Sequence, residues 1–159
     1  MRASTAKKIR LAGLILFILY LIALVYFLFL SERYGRSGVQ PIRYNLVPLR
    51  EILRFVTNVN VLGRWAVFVN VGGNILAFGP FGAILPILSR KMRSFPKITA
   101  ATALFSLCVE IMQLVTRSGV CDIDDVILNT LGGCLGYLIF YICDRIRKKY
   151  FGVVRSKNA

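Results

Sequence analysis

Four long apolar segments constrain the fold of this chain more than any other feature. Residues 11–30, 65–88, 98–116 and 126–143 each approach or exceed the roughly 20 apolar residues with which a helix crosses ~30 Å of hydrocarbon. The third contains a charged side chain, Glu110, and the other three contain none. The sequence therefore predicts an all-α integral membrane protein, in which residues 1–159 form a single membrane domain with four transmembrane helices.

The basic residues lie beside the apolar segments rather than in one patch, so the net charge of +14 does not indicate a nucleic-acid partner. Fourteen of the 21 lysines and arginines lie in residues 1–10, 89–97 and 144–159, which share one side of the membrane if the chain crosses it four times. The positive-inside rule assigns that side to the cytoplasm. We therefore expect cytoplasmic N- and C-termini, with the lipid bilayer as the main partner.

The loop between the first two apolar segments is expected to contain a short interfacial helix. Residues 45–48, Asn-Leu-Val-Pro, indicate a turn, because Pro48 disfavours a helical backbone at the residue before it. After this turn, apolar residues recur at helical spacing, and charged residues occupy the other side. The apolar positions are Leu49, Ile52, Leu53, Val56 and Val59. This pattern predicts an amphipathic helix that lies on the outer membrane surface.

The second apolar segment is irregular. Asn70 and Asn74 are four residues apart and therefore share a helix face. Pro80, with Gly79 and Gly82 beside it, predicts a kink or break near the middle of this helix. A broken helix with polar side chains can line a binding site, although Gly and Pro are also common in ordinary membrane helices.

The third and fourth segments carry polar residues in two stripes. Ser106, Glu110, Gln113 and Arg117 follow one face of the third helix, and Asp122, Asp125 and Asn129 follow one face of the fourth. The turn of residues 117–122 is so short that the two helices must be antiparallel neighbours. We therefore expect the stripes to face each other in the outer half of the membrane, at a depth that Asn74 also reaches.

Two interpretations of this polar group remain open. In the structural one, Asp122 or Asp124 caps the fourth helix, Arg117 pairs with a carboxylate, and Gly132 and Gly136 allow tight helix packing. In the functional one, a single arginine cannot neutralise four carboxylates, so a cation, a proton or a cationic ligand is needed. The candidate ligand-binding residues are Asn74, Glu110, Gln113, Arg117, Asp122, Asp124, Asp125 and Asn129, with Asn45 and Pro48 from the outer loop.

Catalytic and metal-binding chemistry is limited to the carboxylates. The chain has no histidine, which excludes Ser-His and Cys-His catalysis and His-ligated zinc. Glu110 and Asp125 are the candidate catalytic residues, and Asp122, Asp124 and Asp125 are candidate ligands for Mg²⁺. The four cysteines follow no metal or redox spacing, and we expect Cys121 to be a free thiol.

The same stretches resemble the VanZ family of small bacterial membrane proteins, named for an accessory teicoplanin-resistance protein. The matching pieces are Asn45 to Pro48, Gly73-Asn74-Ile75, Phe78 to Gly82, Ser106 with Glu110 to Gln113, Arg117, and Asp122 to Gly133, in a region of about 45–137. The resemblance implies a bacterial cell membrane location and a cell-envelope role. It also implies reduced susceptibility to glycopeptides or lipoglycopeptides, without supplying an established reaction.

Three functions remain open. The first is a VanZ-like protein whose outer polar pocket binds an envelope lipid, a peptidoglycan precursor or a glycopeptide. The second is a membrane enzyme that acts on a lipid-linked phosphate or a peptidoglycan precursor. The third is a small transporter that works as an oligomer. The residues do not decide whether the chain is an enzyme.

Overall fold

The computed structural model describes residues 3–30 and 43–157. Within them, four helices are long and apolar enough to cross a membrane: Lys8–Phe29, Arg64–Leu88, Phe95–Thr116 and Ile123–Tyr150. The all-α membrane fold is therefore confirmed. Residues 31–42, which form part of the loop with the predicted interfacial helix, lie outside the described residues.

The elements follow the predicted order. They are α1 (Ala3–Val25, extended by a π-helical turn, Tyr26–Leu30), β1 (Tyr44–Asn45), α2 (Arg50–Thr57), α3 (Val59–Leu62), α4 (Arg64–Val67, extended by a π-helical turn, Phe68–Gly72), α5 (Gly73–Leu88), a 3-10 turn (Arg90–Met92), α6 (Phe95–Thr116), β2 (Cys121–Asp122) and α7 (Ile123–Lys157). The predicted interfacial helix is confirmed as α2, where Leu53 and Val56 expose apolar side chains.

The last helix is longer than its apolar run predicts. The expected helix ends at residue 143, but α7 continues to Lys157. Asp144 forms ion pairs with Arg147 and Lys148, which lie one helical turn further along. Pairs at this spacing stabilise an exposed helix, which helps α7 to continue beyond its apolar segment.

The tightest packing lies between α5 and α7, along a seam of glycines. A Cβ atom on Gly82 would overlap the carbonyl oxygen of Gly133, and one on Gly136 would overlap the carbonyl oxygen of Gly79. A Cβ atom on Gly132 would overlap the carbonyl oxygen of Ile75 in the same way. The tight packing predicted for Gly132 and Gly136 is therefore confirmed, since only residues without a side chain allow the two backbones to touch.

The other two membrane helices pack around this pair. Helix α6 buries Ile98 and Thr102 completely, and its Phe105 ring stacks on Phe81 of α5 at 4.9 Å between centroids. Helix α1 is attached more loosely, through the Tyr20 hydroxyl, which donates to the Ala77 carbonyl oxygen at 2.9 Å. Most side chains of α1 point outward, as expected for a helix that faces lipid on one side.

Of the kink or break predicted at Pro80, the break is wrong and a kink stays a prediction. Helix α5 runs through Pro80 and Pro86 without interruption. The irregular backbone lies earlier, at the π-helical turn Phe68–Gly72, where the Asn70 side chain donates to the Ala66 carbonyl oxygen at 2.8 Å. A proline removes one backbone donor, and the close packing of α5 on α7 holds the helix together at that point.

Candidate functional site

Asp122 joins three parts of the chain at one end of the bundle. Strands β1 and β2 pair in parallel, with Asn45 opposite Asp122. The Asn45 side chain donates to Asp122 Oδ1 at 2.9 Å, and the Asp122 amide donates to Glu110 Oε2 at 2.8 Å. These bonds connect the first loop, α6 and the start of α7. Nothing in the sequence pattern predicted a strand pairing of two residues.

Asp124 holds the beginning of the interfacial helix. Its carboxylate accepts hydrogen bonds from the backbone amides of Leu49, Glu51 and Ile52, at 2.5, 2.7 and 3.2 Å. Asp124 is only 1% exposed, and the first amides of a helix otherwise have no partner within that helix. We expected Asp124 to cap its own helix, but it caps α2, a helix more than 70 residues earlier in the chain. Its part in a ligand site stays a prediction.

Amide side chains connect the membrane helices just below these carboxylates. Asn74 of α5 donates to Asp125 Oδ1 of α7 at 2.5 Å. Asn129 of α7 donates to Ser106 Oγ of α6 at 2.8 Å. Gln113 of α6 donates to the Leu28 carbonyl oxygen of α1 at 3.2 Å. The structure thus brings the predicted polar residues of three helices together at the same end of the bundle.

A polar cavity of about 420 Å³ lies between the first loop and the helix ends. Its charged lining combines three arginines with four acidic residues: Arg43, Arg50, Arg54, Glu51, Asp122, Asp124 and Asp125. Asn45 and Gln113 also line this cavity, whereas Pro48 does not. Glu51 and Arg54 pair with each other at 2.8 Å on α2.

A second cavity, the inner cavity, has a volume of about 390 Å³ and lies deeper, among the membrane helices. One wall is polar, with Asn74, Glu110, Gln113, Asp125 and Asn129. The other wall is mainly apolar and includes Leu24, Phe27, Leu28, Ala77 and Pro80. Asn70, Gln113 and Asp125 line both cavities, so the two spaces adjoin.

Arg117 does not join the site. It ends α6 in the left-handed backbone conformation, at φ 54°, and its side chain is exposed. It lines neither cavity, and within residues 43–150 it forms no ion pair with a carboxylate. The expected pairing of Arg117 with Glu110 or the aspartates is therefore wrong, because the helix stripe ends one residue earlier, at Thr116.

The arginines of the cavity come from the first loop instead. Arg43 precedes β1, and Arg50 and Arg54 lie on the polar side of α2. Periodicity placed Arg50 and Arg54 on the solvent side of α2 but gave no reason to bring them to the aspartates. The available signal was the number of arginines in residues 31–64, six, in a loop that we expected on the outer side of the membrane, where such residues are disfavoured.

Each of the buried carboxylates accepts a hydrogen bond from a neutral donor among the described residues. Asp122, Asp124, Asp125 and Glu110 each accept at least one hydrogen bond from an amide of the backbone or of an asparagine. The described residues contain no group of three or more acidic, histidine or cysteine side chains that could hold a metal ion. The Mg²⁺ site of Asp122, Asp124 and Asp125 thus stays a prediction, and the residues present do not fit a three-carboxylate ligand set.

Two groups at the mouth of the site, Asp122 and Cys121, have raised pKa values. Burial raises the pKa of Asp122 above its ordinary value of 3.8, while hydrogen bonds from the Asp124 amide and Asn45 act in the opposite direction. Burial, followed by the negative charges of Glu110 and Asp122, raises the pKa of the Cys121 thiol. Cys121 is a free cysteine, as predicted, and the raised pKa keeps it in the less reactive thiol form.

Comparison with known proteins supports the resemblance drawn from the motifs. No solved structure matches the chain. Protein VanZ of Enterococcus faecium is 29% identical over 104 residues, which are 65% of this chain and 64% of that relative. The chain thus spans less than two thirds of the length of this relative. The family model VanZ/LLP1 matches residues 17–144, which include two whole membrane helices, most of the other two and the lining of both cavities. This membrane protein therefore belongs to the VanZ/LLP1 family.

Proposed function

We propose that this chain is a VanZ-like protein of the bacterial cell envelope, which binds the head group of an envelope amphiphile in the polar cavity and thereby lowers susceptibility to glycopeptides. One observation carries the proposal: the polar cavity adjoins the apolar-walled inner cavity. A site with charged and apolar compartments side by side matches a ligand that has a head group and a hydrocarbon chain.

The charged groups of the polar cavity indicate the chemistry of the head group. Arg43 and Arg50 form no ion pair with a carboxylate of the described residues, and a guanidinium group is a planar donor suited to phosphate or carboxylate. Asp122 and Asp125 offer acceptors for an ammonium or hydroxyl group. A lipid-linked phosphate, a peptidoglycan precursor and a glycopeptide all present such groups.

The charge distribution supports an outward-facing cavity. The cavities lie at the end of the bundle where α1 and α6 finish and α7 begins. The opposite end carries most of the lysines and arginines, which favours the cytoplasm for that end and for both termini. A head group in the polar cavity is then reached from the outer leaflet, where glycopeptides act on the envelope.

Single substitutions test the proposal against a matched control. Arg50→Gln and Asp125→Asn each change one charge in the polar cavity, and Arg117→Gln removes a charge at the same end of the bundle but outside both cavities. With equal amounts of protein in the membrane, we expect cells that carry either cavity variant to become as susceptible to teicoplanin as cells without the protein. Cells with Arg117→Gln should keep wild-type susceptibility. Unchanged susceptibility in both cavity variants would remove the link between the cavity and the antibiotic.

A membrane enzyme that acts on a lipid-linked phosphate or a peptidoglycan precursor is the second candidate. It is favoured by the position of Glu110 and Asp125, which line the inner cavity beside the compartment for the head group. Purified protein should then convert a radiolabelled lipid-linked precursor, with loss of turnover in Asp125→Asn; added Mg²⁺ and a chelator test for metal dependence. If no turnover is found with any divalent ion, binding remains as the only one of the two proposed functions. An oligomeric transporter gains no support from these cavities, since both lie at one end of the bundle.

A further inference from the structure

Asn129 has a buried polar atom that has no partner among the described residues. The residue is 2% exposed, and its Nδ2 donates to Ser106 Oγ. Its Oδ1 has no hydrogen-bond partner among the residues that the structure describes. Such an atom is costly inside a protein and more so at membrane depth, so buried acceptors normally receive a donor.

Asn129, which carries this acceptor, lines the inner cavity. Asn129 lines the cavity together with Glu110, and the hydroxyl of Ser106 is already engaged with the Asn129 amide. The polar wall thus contains the carboxylates of Glu110 and Asp125 and the residue with the unsatisfied amide oxygen, and all of these oxygens are acceptors. A group that enters here is best matched if it donates a hydrogen bond, as a hydroxyl or an amide N–H does.

The opposite wall is suited to a hydrocarbon chain. Leu24, Ala77 and Pro80 line it, and Phe27 and Leu76 lie at its margin with 58% and 64% of their surfaces exposed. The volume of about 390 Å³ is far larger than the ~30 Å³ that one water molecule occupies in the liquid. A single ordered water molecule therefore does not account for the cavity.

We propose that the inner cavity is a second subsite for the same amphiphile, in which one hydrocarbon chain packs between α1 and α5 while a hydroxyl or amide beside that chain donates a hydrogen bond to Asn129. This inference rests on the proposed function, since the head group occupies the adjoining polar cavity. It adds a selectivity that the polar cavity cannot provide. The protein distinguishes amphiphiles with a donor next to the chain from those without one.

Two synthetic probes that differ by one hydroxyl test this inference. The first is 1-O-dodecylglycerol 3-phosphate, and the second is its 2-deoxy analogue, which has the same phosphate and chain. With purified protein held in amphipol, we expect the first probe to bind about five- to tenfold more tightly, the usual worth of one hydrogen bond in a buried site. In Asn129→Leu the two probes should bind with equal affinity. Equal affinity in the wild type, or a preference that survives in Asn129→Leu, would overturn the inference.

A second pair of variants tests the subsite without touching Asn129. Gly73 lines the inner cavity, and a Cβ atom there meets nothing within 4 Å. Gly79 lies on the same helix with equally open space at its Cβ position, but it lines neither cavity. Gly73→Leu should weaken both probes at least tenfold by filling the space for the chain, and Gly79→Leu should leave their binding unchanged. If both variants bind the probes as the wild type does, the chain does not lie in this cavity.

Arg50→Gln separates this inference from the proposed function. In one outcome, Arg50→Gln binds neither probe and the wild type binds both probes with equal affinity. This outcome supports the head-group site in the polar cavity and overturns the inner subsite. A hydroxyl preference that persists in Arg50→Gln with undiminished affinity supports the inner subsite and removes the head-group site. Circular dichroism and elution as a single species show whether each variant is folded before it is titrated.

Discussion

Helices α5 and α7 are held together in two opposite ways along their length. At the glycine seam their backbones touch, so that Gly82 lies against Gly133 and Gly136 lies against Gly79. Towards the other end of the same pair, Asn74 and Asp125 bridge the helices through side chains, beside cavities of about 420 and 390 Å³. The seam leaves no room for a side chain on Gly82, Gly132 or Gly136, whereas the polar end leaves room for a ligand.

The difference shows how one helix pair can serve both stability and binding. Close backbone packing fixes the relative position of α5 and α7 without polar groups. The polar end can then carry buried carboxylates, whose hydrogen bonds would be a weak basis for stability on their own. The cavities lie where the helices separate and where the first loop folds back over them.

The largest effect should come from adding one methyl group to the seam. In Gly82→Ala the new Cβ atom overlaps backbone atoms of Gly133, which cannot move as the end of a flexible side chain can. We expect a loss of more than about 3 kcal/mol and little monomeric protein after extraction in detergent. Gly79→Ala is the control on the same helix, since its Cβ atom meets nothing within 4 Å. Equal yields and melting temperatures for the two variants would show that the seam is not tightly packed.

The second-largest effect should be a loss of stability at the polar end that leaves the seam unchanged. Asp124→Asn replaces one carboxylate oxygen by an NH2 group, which is a donor. If the remaining oxygen still accepts from the Leu49 amide, the NH2 group faces the amide donors of Glu51 and Ile52. We expect the attachment of α2 to weaken by about 2–3 kcal/mol, while the α5–α7 pair stays folded. Hydrogen exchange should become faster at residues 49–52 and unchanged at residues 78–86. In the control Glu51→Gln, loss of the exposed pair with Arg54 should cost less than about 1 kcal/mol. Faster exchange in both regions would mean that the polar end also holds the seam.

The sequence predicted the part of the fold that depends on local pattern. Hydropathy gave the four membrane helices, the spacing of Leu49 to Val59 gave the interfacial helix, and Gly132 with Gly136 indicated close packing. Helical periodicity also brought Asn74, Glu110 and Asp125 to one end of the bundle. These features follow from residues that are close in the chain, so a single sequence is enough to find them.

The remaining features depend on contacts between distant segments. Asp124 caps α2 and Asn45 pairs with Asp122, and neither contact leaves a local pattern because more than 70 residues separate the partners. Arg117 was expected in the site because it continues the stripe of Glu110 and Gln113. Side chains at this spacing share a face only within the helix, and the helix ends at Thr116. Arg43, Arg50 and Arg54 of the first loop line the polar cavity in place of Arg117, and this contact between distant segments is visible only in the folded chain.

A pH titration tests the effect of burial on Asp122, at the polar end of the helix pair. Burial raises the pKa of this carboxyl in the folded state above the value of 3.8 in the unfolded chain, so the folded protein binds the proton more tightly. The free energy of unfolding should therefore increase as the pH falls through the folded pKa towards 3.8, with a slope of at most ~1.4 kcal/mol per pH unit. Asp122→Asn imitates the protonated form and should lose this increase. Identical pH profiles of unfolding in the wild type and the variant would contradict a raised pKa.

The smallest effect concerns α1, which has neither a glycine seam nor a carboxylate to hold it. Its Tyr20 hydroxyl donates to the Ala77 carbonyl oxygen, which is also an acceptor within the helical backbone of α5. Because that carbonyl keeps its helical donor when the hydroxyl is removed, Tyr20→Phe should lower the free energy of unfolding by only about 0.5–1.5 kcal/mol. Tyr26→Phe, in which the ring is exposed at the end of the same helix, should change it by less. A loss in Tyr20→Phe as large as that in Asp124→Asn, measured by thermal unfolding in detergent, would show that α1 is not held more loosely than the rest of the bundle.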